Sequence, residues 1–230
     1  MGGRAATGPS VVESTARFIA ESLASGRYRS GDRLVEADLT ARYRVSRSTV
    51  RAALRELACR GLVTLHQGRS ATVSELTDED AIALYDLRAV VEPLLIARFT
   101  ERASRHDIRD LEEAFRAFDE TAQSSDELRR VFRARDTFYD VLLRGASSWA
   151  LGTAVRTEYS RLTVFRRTRI PEEVELSRLR AAARRIHLVI PPMQRRETVA
   201  AHRFCARQLI EDGAATMRLI RAQREVAAAR

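Results

Sequence analysis

The chain of 230 residues is long enough for one large domain or two ordinary ones, each with a buried core. Its 40 basic and 31 acidic residues give a formal net charge of +9, and this positive charge makes polyanions plausible partners. All the basic residues are arginines, and a GC-rich genome also enriches arginine. The sequence contains no apolar run of about 18 residues and no secretory signal, so we expect a cytoplasmic protein with no membrane partner.

The N-terminal part of the chain carries signals for two short helices. Ser10 followed by Glu13 is typical of a capping box and predicts a helix that ends at Gly26. Residues 1–8 are expected to form a loose tail before this helix. A second short helix is predicted around residues 36–43, just before the most strongly charged stretch of the chain.

The stretch VSRSTVRAALRELACRG predicts a third helix, which Ser46 caps and Gly61 terminates. Its apolar side chains fall on one stripe and are expected to be buried: Val50, Ala53, Leu54 and Leu57. The same geometry turns Arg47, Arg51 and Arg55 outward. Residues 40–69 contain seven arginines and one acid, Glu56, a net charge of +6. Because a solvated face normally mixes charge signs, this density predicts an external polyanion.

A β-hairpin is predicted after this helix, from the alternating segments LVTLH and ATVSE and the turn QGRS between them. The predicted order is two helices, the second with a hydroxyl and arginines at its start, followed by a hairpin. This order indicates a winged helix-turn-helix, whose second helix enters the DNA major groove. The alternative is an exposed basic helix that binds no nucleic acid. The expected DNA-binding residues are Arg44, Arg47, Ser48, Thr49 and Arg51 around the helix, and His66, Gln67, Gly68 and Arg69 in the hairpin.

A family resemblance accompanies these residues. The segment RLVEADLTARYRVSRSTVRAALRELACRGLVTLHQGRSATVS resembles the winged-helix domain of the GntR superfamily of bacterial transcription regulators, over about residues 15–75. The resemblance implies that the third helix reads a DNA operator, that the hairpin is the wing, and that the protein binds a palindromic operator as a homodimer.

From Thr77 onward the sequence shows continuous helical periodicity, with Thr77 as the first cap. Breaks are expected near residues 104–107, 123–126, 145–148, 170–171, 191–192 and 212–213. The predicted fold is therefore mainly α, with a winged helix-turn-helix over residues 1–76 and an all-helical bundle of about six or seven helices over residues 77–230. As the family resemblance implies, the second domain is expected to bind an effector and to dimerise.

The segment LYDLRAVVEPLLIARF, which contains Arg88 and Glu92, resembles the first helix of the effector domain of the FadR-like branch, called FCD. Many such domains hold a divalent metal with an aspartate and three histidines, and the metal helps to bind a carboxylate effector. The resemblance places Arg135, Tyr139, His202 and Gln223 (or Arg224) at those four positions. Only His202 is a metal ligand of the family's kind.

Helical periodicity places several of these polar residues toward the interior. Arg135 and Tyr139 fall on the apolar stripe of residues 128–142, and Arg88 falls at the edge of another stripe. Further inward positions are expected for Glu158, for His202 beside Val199, Ala206 and Leu209, and for Gln223 beside Ile220.

A buried guanidinium needs a partner, because an uncompensated charge in a core costs several kcal/mol. Arg135 could pair with Glu158, which would make the interior inert. Alternatively, Arg135, with Tyr139 and His202, receives the carboxylate or phosphate of a small effector, in a pocket that also includes Arg88, Glu158 and Gln223. A third interpretation retains a divalent metal such as Zn or Ni on Asp136, Asp140 and His202, although no cofactor is favoured.

The two cysteines and the single tryptophan are expected to be structural residues. Cys59 and Cys205 are expected to be small buried residues, and Trp149 is expected to pack between helices. The sequence has no G-x-S-x-G, P-loop or paired-histidine motif, so we predict no enzyme. The favoured function is a DNA-binding regulator controlled by a small acidic metabolite, and the alternative is a DNA-binding dimer without an effector.

Overall fold

The computed structural model describes residues 10–66 and 70–228, and the predicted tail at residues 1–8 lies outside them. The chain divides into two compact units. The first runs to Leu76 and includes Thr163–Thr168, and the second contains Thr77–Leu162 and the chain from Arg169 onward. In the described part of the chain, no helix is long and apolar enough to span a membrane.

The first unit is a winged helix-turn-helix. Its elements are α1 (Val11–Ala24), β1 (Arg33–Val35), α2 (Glu36–Tyr43), α3 (Arg47–Cys59), β2 (Val63–His66) and β3 (Ser70–Val73). The strands form an antiparallel sheet in the order β1-β3-β2. The three helices and the hairpin confirm the predicted fold, whereas β1 was not predicted, because three residues are too few to show alternation.

The helix ends of this unit follow from local sequence. Ser10 and Glu13 form the predicted capping box at the start of α1. Ser46 accepts a hydrogen bond from the Thr49 backbone N–H and caps α3. Gly26 and Gly61 follow α1 and α3 with φ of 76° and 66°, a region that glycine enters without strain. The apolar stripe predicted for α3 is buried as expected.

The second unit is all-helical, as predicted. Its helices are α4 (Asp78–Arg102), α5 (Arg105–Ser124), α6 (Leu128–Ala146), α7 (Trp149–Arg167, whose last residues group with the first unit), α8 (Glu172–His187), α9 (Ile190–Gln194) and α10 (Thr198–Ala228). Thr77 caps α4 through a capping box with Asp80.

The break predicted at Asp212-Gly213 is wrong, because α10 runs through it without interruption. A Cβ at position 213 would lie 3.0 Å from the Cβ of Tyr85 in α4. The glycine therefore serves close packing of α10 on α4 rather than a turn. The break predicted at residues 191–192 is also displaced, since these prolines lie in α9, where Pro fits the first turn of a helix.

Two expectations about buried residues are also wrong. Trp149 is 86% exposed, because it opens α7 ahead of the buried stripe that Val155 begins. Cys59, the last residue of α3, is exposed, whereas Cys205 is buried as predicted.

Helices α4 and α6 approach closely at Gly145, which lies against the ring of Phe99. A Cβ at position 145 would overlap this ring, and Phe99 is fully buried. The close approach matters for the interior, because it brings side chains of α6 within hydrogen-bonding distance of α4.

We expect Gly145→Ala to lower the free energy of unfolding by about 1–3 kcal/mol, because the ring must shift within a packed core. This loss outweighs the gain of about 1 kcal/mol that alanine normally gives in a helix. Urea unfolding followed by circular dichroism measures the change.

Gly152→Ala in α7 is the matched control. A Cβ there would lie 3.3 Å from a flexible methyl of Leu143, so we expect no loss of stability or a gain of up to about 1 kcal/mol. Equal effects of the two substitutions would contradict the close α4–α6 packing.

Candidate functional site

The outward surface of α3 is basic. Arg44, Arg47, Ser48 and Arg51 are exposed or half-buried, and Thr49 lies among them. Within the described residues, neither Arg47 nor Arg55 forms an ion pair. These side chains therefore present positive charge and N–H donors directly to solvent.

A cluster of hydroxyl groups surrounds the N-terminus of α3. The Oγ of Ser46 lies 2.7 Å from the Oγ of Ser48 and 2.8 Å from the Oγ1 of Thr49. The first backbone N–H groups of a helix lack intrahelical acceptors and favour negative charge. Together with the neighbouring arginines, this end of α3 is suited to bind an anion such as a phosphate.

Two arginines of this surface pair with acids. Arg60 pairs with Glu56 one turn earlier, and the Nε of Arg51 donates to both carboxylate oxygens of Glu36, at 3.0 and 2.9 Å. From the sequence, only Glu56 was expected to supply compensating charge. Glu36 was not predicted, because it comes from α2 and lies fifteen positions from Arg51 along the chain.

The hairpin is described only in part. The Nε2 of His66 lies 2.9 Å from the Oγ1 of Thr72, so an interstrand contact holds this ring at the end of β2. Gln67, Gly68 and Arg69, which were predicted at the wing tip, lie outside the described residues.

The second unit contains a partly open cavity of about 60 Å³. It has room for roughly four to six water molecules, or for an anion of a few heavy atoms. The charged and polar side chains of its lining are Arg88 and Glu92 of α4, Arg135 and Tyr139 of α6, Tyr159 of α7, Arg178 and Arg185 of α8, and Gln208 and Asp212 of α10.

Arg88, Glu92 and Tyr139 form one buried cluster. Arg88 donates from Nε to Glu92 at 2.8 Å, and the Tyr139 hydroxyl donates to the other oxygen of Glu92 at 2.6 Å. The Nη2 of Arg88 lies 3.4 Å from the same hydroxyl. Burial and the Glu92 charge raise the pKa of Tyr139 well above its usual value, so the phenol stays protonated.

Asp212 joins three helices through its carboxylate. Its Oδ2 lies 3.5 Å from Nη1 of Arg88 and 3.3 Å from Nη1 of Arg178, and its Oδ1 pairs with Arg185. These arginines come from α4 and α8, whereas Asp212 is in α10. The carboxylate is therefore a shared partner that holds α4, α8 and α10 together.

Arg178 has a second acid partner. Its Nε and Nη2 donate to the two oxygens of the buried Glu175, at 2.9 and 3.0 Å. Burial lowers the pKa of Arg178, but the charges of Glu175 and Asp212 outweigh burial and raise it above the usual arginine value. The arginine therefore stays charged at every physiological pH.

Arg135 lies close to two aromatic rings. Its guanidinium carbon is 4.5 Å from the ring centre of Phe132 and 3.9 Å from that of Tyr159, and its Nη2 donates to Asp136 at 2.9 Å. Cation–π contacts with these rings help to compensate the buried charge. The Tyr159 hydroxyl is buried, and no described residue is its hydrogen-bond partner.

The structure brings together part of the predicted effector site. Arg88, Arg135 and Tyr139 line one cavity, and their predicted burial is confirmed. Glu158 is buried as predicted, and its charge acts on Arg88. The predicted Arg135–Glu158 pair stays a prediction.

His202 and Gln223 do not join this cavity. Both are half-buried, and the described residues of α10 that line the cavity are Cys205, Gln208, Leu209 and Asp212. The predicted stripe was rotated, because it counted Val199, which is 64% exposed, as an inward residue. Gln223 also lies eleven residues beyond Asp212, about 16 Å along the helix.

Several cavity residues were not predicted from the sequence. Asp212 falls in a predicted break, and Arg178 and Arg185 had no predicted role. The seven-residue spacing of these two arginines puts them on one helix face, which is the signal that could have identified them.

The residues present do not fit a divalent metal. Asp136 pairs with Arg135, and Asp140 pairs with Arg156 at 2.6 Å. Among the described residues, no three His, Cys, Asp or Glu side chains lie together as a metal site requires. The alternative of a metal held by Asp136, Asp140 and His202 therefore has no support in the geometry.

We expect Asp212→Asn to lower the free energy of unfolding by about 3–5 kcal/mol, because it leaves buried arginines without their shared carboxylate. Urea unfolding at neutral pH measures the loss. Glu211→Gln is the matched control, since Glu211 forms an exposed pair with Arg207 whose removal costs at most about 1 kcal/mol. A loss below about 1 kcal/mol for Asp212→Asn would show that the carboxylate does not anchor the helices.

Comparison with known proteins agrees with both units. The chain is 29% identical over 135 residues to a probable D-xylose utilization operon transcriptional repressor of Paenarthrobacter nicotinovorans, over 58% of each protein. It is 30% identical over 101 residues to the Nta operon transcriptional regulator of Aminobacter aminovorans, over 44% of this chain and 48% of that protein. The chain spans about half the length of the curated relatives it matches.

A solved structure shares the fold, and two family models match the chain. E. coli McbR/YncC has the same fold, with a TM-score of 0.73 and 17% identity, over 94% of this chain and 99% of that one. The family model of bacterial regulatory proteins of the gntR family matches residues 12–73, and that of the FCD domain matches residues 83–211, more than half of the chain. With a winged helix followed by an FCD domain, the chain belongs to the gntR family of bacterial regulatory proteins.

Proposed function

We propose that this protein is a transcription regulator that binds a palindromic DNA operator as a homodimer and responds to a small acid in the cavity of its second unit. The observation that carries the proposal is the outward face of α3, where exposed arginines flank a helix N-terminus rich in hydroxyl groups. Its family consists of regulatory proteins rather than enzymes. A regulator of this kind acts in the cytoplasm.

The charge on α3 suits DNA in two ways. Arg47 and Arg55 form no ion pair with a described residue, so both are available to phosphates. The hydroxyl groups of Ser48 and Thr49 lie at the end of the helix that enters the major groove first. This arrangement provides both backbone contacts, which position the helix, and base contacts, which carry sequence specificity.

An exposed apolar stripe on α4 supports the homodimer. Leu87, Val90 and Leu94 are 47%, 61% and 43% exposed and lie on one face of the helix. The opposite face of α4 packs against α10 in the core of the second unit. Contiguous exposed apolar side chains mark protein interfaces, and a second copy of the chain is the partner that a palindromic operator requires.

The cavity supports the acidic effector. Four arginines and two acids line it, and Glu175 and Glu158 are buried in the same unit. Arg135 lines the cavity, and a guanidinium can form two parallel hydrogen bonds to a carboxylate or phosphate. The Tyr159 hydroxyl supplies a donor that no described residue uses.

The second candidate function is a DNA-binding dimer whose helical unit only dimerises. It is favoured by the dense pairing of Arg88, Arg178 and Asp212, which stabilises the unit without any ligand. The cavity beside Arg135 and Tyr139 argues against it, because a purely structural interior would be closely packed there.

We expect the protein to enrich an inverted repeat from a randomised double-stranded DNA library, with half-site centres about 10 base pairs or a multiple of that apart. Arg47→Ala should weaken binding to all sequences alike and reduce the salt dependence of log Kd by about 0.9 per subunit, or about 1.8 for the dimer, because each substituted side chain removes one phosphate contact. Fluorescence anisotropy over a salt series measures both quantities.

Arg17→Ala on α1 is the matched control, since it removes the same charge from another helix of the same unit. An enriched single site or direct repeat would contradict the palindrome. Equal effects of the two substitutions would contradict the placement of DNA on α3.

We expect small acids such as acetate, malonate and phosphate, tested separately in EDTA, to raise Tm, because a ligand of the folded state adds about 2.7 kcal/mol of stability at a hundred times its Kd. Tyr159→Phe should leave the ligand-free stability within about 0.5 kcal/mol. It should weaken ligand binding about fivefold, the value of one hydrogen bond near 1 kcal/mol. Thermal unfolding against ligand concentration gives both.

Tyr28→Phe in the first unit controls for the loss of a phenol elsewhere. Stabilisation that appears only when a divalent metal replaces EDTA would overturn the metal-free pocket. No stabilisation by any acid, together with an enriched inverted repeat, would favour the second candidate function.

A further inference from the structure

We propose that Glu36 is a specificity-determining residue, which acts by holding Arg51 in the orientation that reads a base rather than a phosphate. The inference rests on the proposed function, because it assumes that α3 lies in the major groove of DNA. It goes beyond that function in assigning different tasks to the three outward arginines of α3, namely Arg47, Arg51 and Arg55.

Glu36 is rigidly placed for this task. It is the first residue of α2 and follows β1 directly, whose last residue, Val35, is paired with Ser70 of β3. The Glu36 side chain is only 14% exposed, whereas that of Arg51 is 44% exposed. The acid is thus part of the protein framework, and the arginine reaches out from it.

The contact uses one nitrogen of Arg51. Both oxygens of Glu36 accept from its Nε, at 3.0 and 2.9 Å. In the part of the chain that the structure describes, Nη1 and Nη2 of Arg51 make no hydrogen bond. These two nitrogens form the fork that matches O6 and N7 of guanine in the major groove.

Glu36 also disfavours the competing orientation. If Arg51 turned toward a phosphate, the carboxylate would lose the cation that it pairs with and would face the negative DNA backbone while nearly buried. Arg47 and Arg55 have no such acid among the described residues and suit phosphates. A single carboxylate therefore separates one base-reading arginine from two that bind the backbone.

Preorganisation adds to this effect. A free arginine side chain has many rotamers, and part of this freedom is lost when the side chain binds a base. Arg51 has already lost part of it to Glu36 before DNA arrives. The base contact is therefore formed with less ordering, which favours specific over non-specific complexes.

The experiment compares the wild-type protein with Glu36→Gln. Each full-length protein is used to enrich sites from one randomised DNA library at a fixed salt concentration. Affinities for the best site and for every single-base variant of it are then measured by fluorescence anisotropy over a salt series. Circular dichroism and thermal unfolding establish that each variant is folded.

We expect Glu36→Gln to reduce the preference for guanine at one position of each half-site by about tenfold, out of the roughly 5- to 150-fold that a bidentate arginine contact supplies. Preferences at other positions should stay unchanged. Non-specific affinity should rise, and the salt dependence of log Kd should steepen by about 0.9 per subunit, because Arg51 becomes available to a phosphate.

Two further variants separate positioning from other effects. Glu56→Gln removes the same charge from another ion pair at the end of α3 and should leave all base preferences unchanged. Arg51→Ala should lose the guanine preference at the same position, because it removes both donors to O6 and N7, and adding Glu36→Gln to it should change that position no further. The Arg51→Ala variant also tests the inference if Glu36→Gln alone is unstable, because a guanine preference that survives it would contradict base reading by Arg51.

The outcomes distinguish the inference from the proposed function. A wild-type protein that enriches no sequence overturns both. A wild-type protein with a clear motif, but with the same base preferences after Glu36→Gln, overturns the inference alone. The inference alone also fails if the loss after Glu36→Gln is spread evenly over all positions, or if Arg51→Ala alters a different position.

Discussion

The second unit depends on the buried ion pairs between Asp212 and the arginines of α4 and α8. A buried arginine is tolerated only when a carboxylate and further hydrogen bonds replace its water. Arg88 and Arg178 each pair with an acid of their own helix, Glu92 and Glu175, and both also pair with Asp212 of α10. Separation of these helices would therefore leave the Asp212 carboxylate without its arginine partners. Gly213 lets α10 approach α4 closely enough for the contact to form. Backbone packing and ion pairing therefore depend on each other at this point.

The same network defines what the cavity can accept. The arginines that line the cavity already have acid partners. A ligand must therefore form hydrogen bonds with them in addition to those that the acids already make. Arginine has five N–H donors, so a guanidinium that serves one carboxylate can still serve a second anion through another edge. The rings of Phe132 and Tyr159 lie close to the Arg135 guanidinium and help to hold it beside the cavity. Burial and the Glu92 charge also raise the pKa of Cys205, so its thiol stays neutral in the cavity lining.

Local patterns predicted more of this molecule than did reasoning about distant contacts. Helix caps at Ser10, Ser46 and Thr77 need only neighbouring residues, and all three were predicted correctly. The inward position of Arg135 and Tyr139 follows from one helical stripe and was also predicted. The acids that complete both sites, Glu36 and Asp212, pair with arginines 15 and at least 27 positions away, and no local pattern reveals such partners.

The two arginine–carboxylate arrangements differ in their exposure to solvent, and this difference separates their roles. Salt screens exposed charges over about 8 Å at physiological ionic strength but screens buried pairs much less. Under the proposed function, contacts between α3 and DNA weaken as salt rises, whereas the pairing of Asp212 with Arg178, whose side chains are 6% and 10% exposed, persists. High salt would then dissociate the DNA while the ion pairs that line the cavity stay in place. Comparing the affinity of the cavity for a small acid with and without DNA, at one salt concentration, gives the coupling between the two proposed sites.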